Sequence, residues 1–164
     1  MESQQILSLK LGEQLSQRGF VLTTAESCTG GGVSAAITDI AGSSGWFDRA
    51  FITYSNEAKM EMLGVKELTL ESYGAVSEQT VEEMVKGALA NSNANIGVSI
   101  SGIAGPGGAT EGKPVGTVCF GWADKSGWLK VATYYFAGNR SQVRQQAVEV
   151  ALKVLYEQLK SDSQ

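Results

Sequence analysis

The most informative absence in the sequence is histidine, which occurs nowhere among its 164 residues. Without histidine the chain can form no Ser-His-Asp triad, no Cys-His pair and no histidine-ligated metal site. If the protein is a hydrolase, its general base must therefore be a lysine, tyrosine, aspartate or glutamate.

Cysteine is also scarce, and the two that occur, Cys28 and Cys119, form no Cys-x-x-Cys pair. Zinc-site and redox-dithiol interpretations are therefore excluded, and a reduced, cytoplasmic setting is the simpler expectation. The first residues are too polar for a signal peptide. No apolar run approaches the roughly 18 residues that a membrane span needs, so we expect no association with a membrane.

Positive charge is in deficit, because 13 Lys and Arg stand against 17 Asp and Glu, for a net charge of −4. A general nucleic-acid binder normally carries a basic face, so the balance argues against nucleic acid as a partner. Hydrophobic residues make up 43% of the chain and charged residues 18%. This composition predicts a single folded domain over residues 1–164 with a substantial core.

Glycine is abundant, with 20 residues in two clusters. The first is Gly30-Gly31-Gly32, and the second lies within residues 101–116, where both prolines of the chain also occur. A loop as long as the second is uncommon in a compact domain and is often functional.

Hydrophobic periodicity and turn residues predict alternating strands and helices. Leu7, Leu11 and Leu15 indicate a first helix that ends at Gly19. The other predicted elements are strands at 20–24, 47–54, 96–100, 117–122 and 131–136, helices at 33–40 and 55–63, a helix after Ser77, a helix after Asn139, and an extended piece at 74–76. This order predicts an α/β fold, a three-layer α/β/α sandwich with a mixed sheet. Both glycine loops follow apolar strands, so we expect them to face one pocket.

The first glycine loop carries Ser27 directly before a predicted helix. Unpaired N–H groups at a helix start bind anions or a developing oxyanion, so Ser27 is a candidate nucleophile. The alternative is that Ser27 or Thr29 only caps the helix. Cys28 is a rival nucleophile, because a helix start lowers a thiol pKa, although a free cysteine is more often a small buried hydrophobe. The loop lacks the lysine of a P-loop.

The segment after the second strand offers a base for that nucleophile. Tyr54 ends the strand, and Lys59 lies early in the helix that Ser55 is expected to cap. A helix N-terminus and desolvation both favour the neutral form of lysine, which is the form that accepts a proton from serine. The alternatives are a solvated lysine paired with Glu57 or Glu61, and a half-buried strand tyrosine.

Further polar groups occur in the second loop and the last helix. Ser101 and the loop amides, with Gly102 and Gly105, are candidates for substrate binding. Arg140 and Arg144 are four residues apart on one helix face, where they can hold a phosphate. The alternative is surface charge paired with Glu149 or Asp48.

Taken together, several of these segments resemble the CinA C-terminal domain family, whose stand-alone members are nicotinamide-nucleotide amidohydrolases. The resemblance covers nearly the whole chain from residue 23 onward. The segments that carry it are TTAESCTGG (23–31), ITDIAGSSGWF (37–47), TYSNEAK (53–59), GAVSE (74–78) and SGIAGPGG with KPVGTV (within 101–118).

The resemblance implies hydrolysis of the carboxamide of nicotinamide mononucleotide to nicotinic acid mononucleotide and ammonia. It implies a cytoplasmic, homo-oligomeric enzyme of pyridine-nucleotide salvage that uses neither a metal nor an organic cofactor. The family's nucleophile corresponds to Ser27, and its tyrosine and lysine correspond to Tyr54 and Lys59.

The residues and the resemblance lead to one mechanism, in which Ser27 attacks the amide carbon and Lys59 takes the serine proton, directly or through Tyr54. We expect the loop at Thr29, Gly30 and Gly31 to contact the substrate, with the amides near the two glycines holding the oxyanion, and Arg140 or the second loop to hold the phosphate. A catalytically silent nucleotide-binding or assembly module is the main alternative. A magnesium-dependent phosphotransferase is a weaker one.

Overall fold

A computed structural model describes residues 3–162, which contain six α-helices, one short 3₁₀ helix at Ser43–Gly45 and five strands. The helices are α1 (Gln4–Arg18), α2 (Gly32–Thr38), α3 (Asn56–Leu63), α4 (Glu67–Tyr73), α5 (Glu78–Ala90) and α6 (Arg140–Asp162). The strands are β1 (Leu22–Glu26), β2 (Phe47–Ile52), β3 (Ile96–Gly102), β4 (Thr117–Asp124) and β5 (Leu129–Tyr135).

The strands form one mixed sheet in the order β2-β1-β3-β4-β5. β1 pairs in parallel with both β2 and β3, whereas β4 is antiparallel to β3 and to β5. Helices α2 and α6 pack on one face with α1 against them, and α5 packs on the other face with α3 and α4 against it. The predicted three-layer sandwich with a mixed sheet is confirmed.

The core follows from the alternation of side chains along the central strands. Ile96, Val98 and Ile100 of β3 face the layer that contains α1 and α6, where they join the larger apolar cluster. Phe120 and Trp122 of β4 are fully buried in the same cluster, and the Trp122 indole N–H donates to the Ala151 carbonyl at 3.2 Å. Burial on both faces of β1 and β3 makes the centre of the sheet a rigid base for the loops that follow these strands.

Capping serines and a terminal glycine in the sequence predicted ends of three helices. Ser3 caps α1 by accepting from the Ile6 N–H, and Gly19 ends it in the left-handed conformation at φ 67°. Ser55 and Ser77 cap α3 and α5 with their hydroxyls, as expected. The predicted end of α1 at Gly19 and the predicted starts at Ser55 and Ser77 are confirmed. Each capping hydroxyl satisfies a backbone N–H that the helix leaves unpaired.

Several predicted bounds were wrong. β1 begins at Leu22 and continues to Glu26, β2 ends at Ile52, and α2 ends at Thr38. Helix α4 was not predicted, and residues 75–77 form bends instead of an extended piece. Within residues 3–162, no helix has both the length and the apolarity to cross a bilayer.

Candidate active site

Three parallel strands end at one edge of the sheet, and the loops that follow them form a cleft of about 250 Å³. Ser27 follows β1, Tyr54 follows β2, and Ser101 is the penultimate residue of β3. The cleft is lined by Ser27, Cys28, Tyr54, Asn56, Lys59, Ala75, Val76, Ser101, Gly102, Ala104 and Arg140. The two glycine loops therefore meet at one cleft, as the topology predicts. A wider groove of about 870 Å³ between α1 and α6 contains neither Ser27 nor Lys59.

Lys59 lies in the cleft with its amine against the Ser27 hydroxyl. The Lys59 Nζ donates to Ser27 Oγ at 3.0 Å, to the Thr53 carbonyl at 2.9 Å and to the Tyr54 carbonyl at 3.2 Å. The side chain is only 1% exposed, so the alternative of a solvated lysine paired with Glu57 or Glu61 is wrong. Lys59 reaches this position because the capped start of α3 places it one turn into the helix, next to the end of β2.

The surroundings of Lys59 favour its neutral form. Burial lowers the pKa of the Lys59 amine below the ordinary lysine value. Among residues 3–162, no carboxylate lies within ion-pair distance of that amine. Two backbone carbonyls, which can only accept, take up two N–H groups of Lys59. The remaining position on Nζ faces Ser27, and in the neutral amine this position is a lone pair.

Cys28 lies beside Ser27, and its thiol is held in the protonated form. Burial is the main cause that raises the pKa of the Cys28 thiol to about 12. A thiol with this pKa stays protonated at neutral pH and is a poor nucleophile. The expectation that the helix start lowers the pKa of Cys28 is therefore wrong, and the interpretation of Cys28 as a buried hydrophobe agrees with its 6% exposure.

The first glycine loop, residues 27–31, carries the candidate nucleophile Ser27 and is the nucleophile loop of this site. Its backbone turns back on itself after Ser27. The Ser27 N–H donates to the Ile100 carbonyl of β3 at 3.0 Å, and the Gly30 N–H donates to the Ser27 carbonyl at 3.1 Å. Gly30 and Gly31 have φ values of 60° and 103°, a region in which glycine carries no steric penalty. Because the Gly30 N–H is engaged within the loop, it is not available to hold an oxyanion.

Glu26 organises the start of α2 from the end of β1. Its carboxylate is fully buried and accepts from the Val33 N–H at 3.0 Å, the Ser34 N–H at 3.0 Å and the Thr29 hydroxyl at 2.7 Å. Gly31 occupies the N-cap position without a side-chain hydrogen bond. The helix start is therefore capped by Glu26, and the alternative that Ser27 or Thr29 caps it is wrong.

Tyr54 and Arg140 lie at the mouth of the cleft. Arg140 donates from Nη1 to the Gly105 carbonyl at 2.9 Å and from Nη2 to the Tyr54 hydroxyl at 3.4 Å. The Tyr54 side chain is 64% exposed, so its hydroxyl lies at the rim while its carbonyl contacts Lys59. Arg140 thus connects the second glycine loop to the residue that follows β2.

A comparison with protein families identifies the fold unit. Residues 4–159 match the family model of the CinA C-terminal domain. The chain belongs to the CinA C-terminal domain family.

Two relatives named as amidohydrolases are similar to this chain over nearly their whole length. The nicotinamide-nucleotide amidohydrolase PncC of Enterobacter agglomerans is 56% identical over 147 residues, which cover 90% of this chain and 90% of that protein. The PncC of Escherichia coli strain K12 is 55% identical over 152 residues, with 93% and 92% coverage. The crystal structure of competence damage-inducible protein A from Klebsiella pneumoniae has a TM-score of 0.94 at 40% identity, covering 97% of this chain and 98% of that one. The family resemblance seen in the sequence is confirmed.

The three residues implied by the CinA-family resemblance, Ser27, Tyr54 and Lys59, all line the cleft, but only part of the predicted substrate-binding set does. Ser27 and Lys59 are in hydrogen-bond contact, and Ser101, Gly102, Tyr54 and Arg140 line the same cleft. Thr29, Gly30, Gly31 and Gly105 lie outside its lining.

Sequence reasoning missed two residues that hold this site. Glu26 was overlooked, although a carboxylate that ends an otherwise apolar strand is a usable signal. Arg144 was expected to bind a phosphate or to pair on the surface, but it contacts the carbonyls of Cys28 and Thr29.

Proposed function

We propose that the protein hydrolyses the carboxamide of nicotinamide mononucleotide to nicotinic acid mononucleotide and ammonia, with Ser27 as nucleophile and Lys59 as base. The observation that carries the proposal is the 3.0 Å contact between Lys59 Nζ and Ser27 Oγ in a cleft at the carboxyl ends of the parallel strands. The substrate is suggested by the two relatives at 55–56% identity, which are named nicotinamide-nucleotide amidohydrolases.

The reaction proceeds in two stages. Ser27 Oγ attacks the amide carbon, and its proton passes to the lone pair of neutral Lys59, which leaves a tetrahedral oxyanion. Lys59 then delivers this proton to the amide nitrogen, and the carbon–nitrogen bond breaks. Ammonia departs, and the acyl group remains bound to Ser27 as an ester. A water molecule attacks the ester while Lys59 accepts its proton, and return of that proton to Ser27 releases the carboxylic acid.

Tyr54 and Arg140 serve substrate binding in this scheme. The direct contact between Lys59 and Ser27 makes a proton relay through the Tyr54 hydroxyl unnecessary. The location of Arg140 in the cleft lining supports a role in binding the substrate phosphate, because a guanidinium presents N–H donors to an anion in a fixed geometry. Ser101 is 2% exposed and lies within the cleft lining, where its hydroxyl is a candidate partner for the polar groups of the substrate.

The nucleophile is tested by comparing Ser27→Ala with Cys28→Ala, with ammonia release from nicotinamide mononucleotide as the assay. We expect Ser27→Ala to lose activity by at least about 10³-fold, as other hydrolases do when their nucleophile is removed. Cys28→Ala should stay within a few-fold of the original protein because its thiol is not ionised. An active serine variant with an inactive cysteine variant would show that the assignment is reversed.

Binding without turnover is the outcome that would support a silent module. Calorimetry with nicotinamide mononucleotide, combined with product analysis after long incubation, separates the two cases. Activity that survives dialysis against a chelator would contradict the magnesium-dependent phosphotransferase. The homo-oligomeric state and the cytoplasmic setting stay predictions, and light scattering of the purified protein tests the first.

A further inference from the structure

We infer that Arg144 is a positioning residue that fixes the peptide units after Ser27, so that the Cys28 N–H is presented to the cleft as an oxyanion donor. This inference rests on the proposed function. It replaces the expectation that amides near Gly30 and Gly31 hold the oxyanion, because the Gly30 N–H is bonded to the Ser27 carbonyl and neither glycine lines the cleft, whereas Cys28 does.

The Arg144 side chain is committed to the backbone of the nucleophile loop. Its Nε donates to the Cys28 carbonyl at 3.0 Å, and its Nη2 donates to the Thr29 carbonyl at 3.2 Å. In the part of the chain covered by residues 3–162, no carboxylate forms an ion pair with it. A rigid, planar guanidinium that bonds these two carbonyls fixes the 28–29 and 29–30 peptide units. The second unit carries the Gly30 N–H, which donates to the Ser27 carbonyl, so Arg144 acts on the 27–28 unit and its Cys28 N–H through that hydrogen bond.

Peptide geometry decides which N–H remains for the substrate. The C=O and N–H of a planar trans peptide point in opposite directions. The Ser27 carbonyl points toward the Gly30 N–H, so the Cys28 N–H in the same unit points away from Gly30. Cys28 lines the cleft directly beside Ser27. The N–H of the residue that follows the nucleophile is also the oxyanion donor in hydrolases whose serine lies on a strand-to-helix turn.

The nucleophile loop contacts Arg144 on one side and Glu26 on the other. A Cβ added to Gly30 would lie 3.3 Å from Arg144 Nη2, in a backbone conformation that side chains rarely adopt. Glu26 accepts the Thr29 hydroxyl on the β1 side. The guanidinium therefore binds the carbonyls of the loop, and the carboxylate binds its hydroxyl and the N–H groups of α2.

Direct contact between Arg144 and the substrate phosphate is the competing interpretation. Arg144 lies outside the lining of the cleft, whereas Arg140, one turn earlier on α6, is part of it. Arg140 and Arg144 each bond two protein acceptors, so their positions relative to the cleft, and not their donor counts, separate them. These observations favour a role that acts through the loop, and the two roles differ in whether kcat or KM changes.

The experiment compares Arg144→Met and Arg144→Lys with the matched control Arg18→Met. Arg18 also donates to a backbone carbonyl, that of Leu159 at 2.8 Å, but it lies on α1 away from the cleft. We expect Arg144→Met to lower kcat by roughly 10²–10³-fold, the effect of losing one oxyanion donor, with KM within about threefold. Lysine should recover little, because it lacks the planar fork.

Two readouts separate positioning from mere structural support. Millimolar guanidinium ion should restore part of kcat in Arg144→Met but not in Ser27→Ala. Arg18→Met should lower Tm and leave kcat unchanged. A rise in KM with kcat retained would overturn the inference in favour of phosphate binding. A loss of Tm with kcat retained in Arg144→Met would assign the residue to stability alone.

The labelling rate of Ser27 by a fluorophosphonate keeps this test independent of the substrate assignment. Its phosphoryl oxygen needs the same donor as the oxyanion, so we expect slower labelling in Arg144→Met than in the original protein or in Arg18→Met. If the original protein releases no ammonia from nicotinamide mononucleotide, the proposed function fails, while the labelling still decides the role of Arg144. Equal labelling rates, or no labelling of Ser27 in any variant, would overturn the inference.

Discussion

Lys59 combines two opposing influences in one side chain. Burial favours the neutral amine, whereas its contacts with Ser27 Oγ and with the carbonyls of Thr53 and Tyr54 suit an ammonium group with three N–H donors. The balance decides how much of the enzyme holds a competent base at neutral pH. Since the shift in the Lys59 pKa is downward, the neutral form is populated at lower pH than for a lysine in water.

The pH profile of kcat/KM tests this balance. We expect log kcat/KM to rise with slope one as pH increases, and to level off above an apparent pKa lower than that of ordinary lysine, because only neutral Lys59 accepts the proton of Ser27. The rising limb should be absent from the residual activity of Lys59→Met. Lys86→Met is the control, since Lys86 is exposed and pairs with Glu82 at 2.7 Å. A limb that keeps its midpoint in Lys59→Met would exclude lysine as the base.

The sequence identified some site residues and missed others for a physical reason. Ser27 and Lys59 could be predicted because each lies at a predicted strand end or helix start. The local pattern alone locates such positions at the carboxyl edge of the sheet, where α/β folds have their ligand sites. The contacts of Arg144 join positions 116 and 115 residues apart. Such pairs depend on how α6 packs across the fold, and no local signal in the sequence couples them.

At the scale of elements, helix α2 depends on a carboxylate from outside the helix. Gly31 at its N-cap supplies no side-chain acceptor, and the Glu26 carboxylate accepts the Val33 and Ser34 N–H groups instead. The helix has only seven residues, too few to be stable without tertiary contacts. Its start, and with it the nucleophile loop, therefore depends on a fully buried acceptor.

Replacement of Glu26 by glutamine tests this dependence. Glu26→Gln turns one acceptor oxygen into an NH₂ group that meets N–H donors, so we expect a loss of about 1–3 kcal/mol in the free energy of unfolding. Urea denaturation measures the loss. Glu57→Gln is the matched control, because Glu57 is exposed in the first turn of α3, and its effect should stay within about 0.5 kcal/mol. Equal losses in the two variants would contradict the role given to Glu26.

Strand β1 and helix α4 were mispredicted for different physical reasons. β1 was expected to end at residue 24, but Thr24 and Glu26 are fully buried and continue the strand. Their polarity is satisfied by partners on α2, such as Ser34, which bonds both side chains. Local polarity therefore suggested a strand end where tertiary contacts extend the strand. Helix α4, seven residues long, offered too short a period to be recognised.

At the scale of the whole molecule, three parallel strands place the reactive groups together without any of them being close in sequence. The α/β alternation predicted this edge, because parallel strands end on the same side of a sheet. The antiparallel pair β4 and β5 completes the sheet beyond β3. The same burial that supports the fold also lowers the Lys59 pKa, so the proposed base and the stability of the fold depend on the same proton.

This linkage predicts how the stability of the molecule varies with pH. A lysine whose pKa is lower in the folded than in the unfolded state leaves the unfolded state with more bound protons between the two values, so stability rises with pH across that range. Below the folded-state pKa, burial of the amine destabilises the fold by its full amount. We therefore expect the free energy of unfolding of Lys59→Met to exceed that of the original protein most at low pH, with the difference shrinking as pH rises. Urea titrations from about pH 6 to pH 10 measure it.

Lys86→Met controls for the loss of a lysine as such, because Lys86 is exposed. A Lys59→Met difference that stayed constant with pH would mean that the three acceptors around Nζ stabilise the ammonium as much as burial opposes it, and one that grew with pH would mean that they stabilise it more. In either case the folded protein would hold Lys59 charged at neutral pH. Ser27 would then have a base only in the small fraction of molecules whose Lys59 amine has released its proton to solvent.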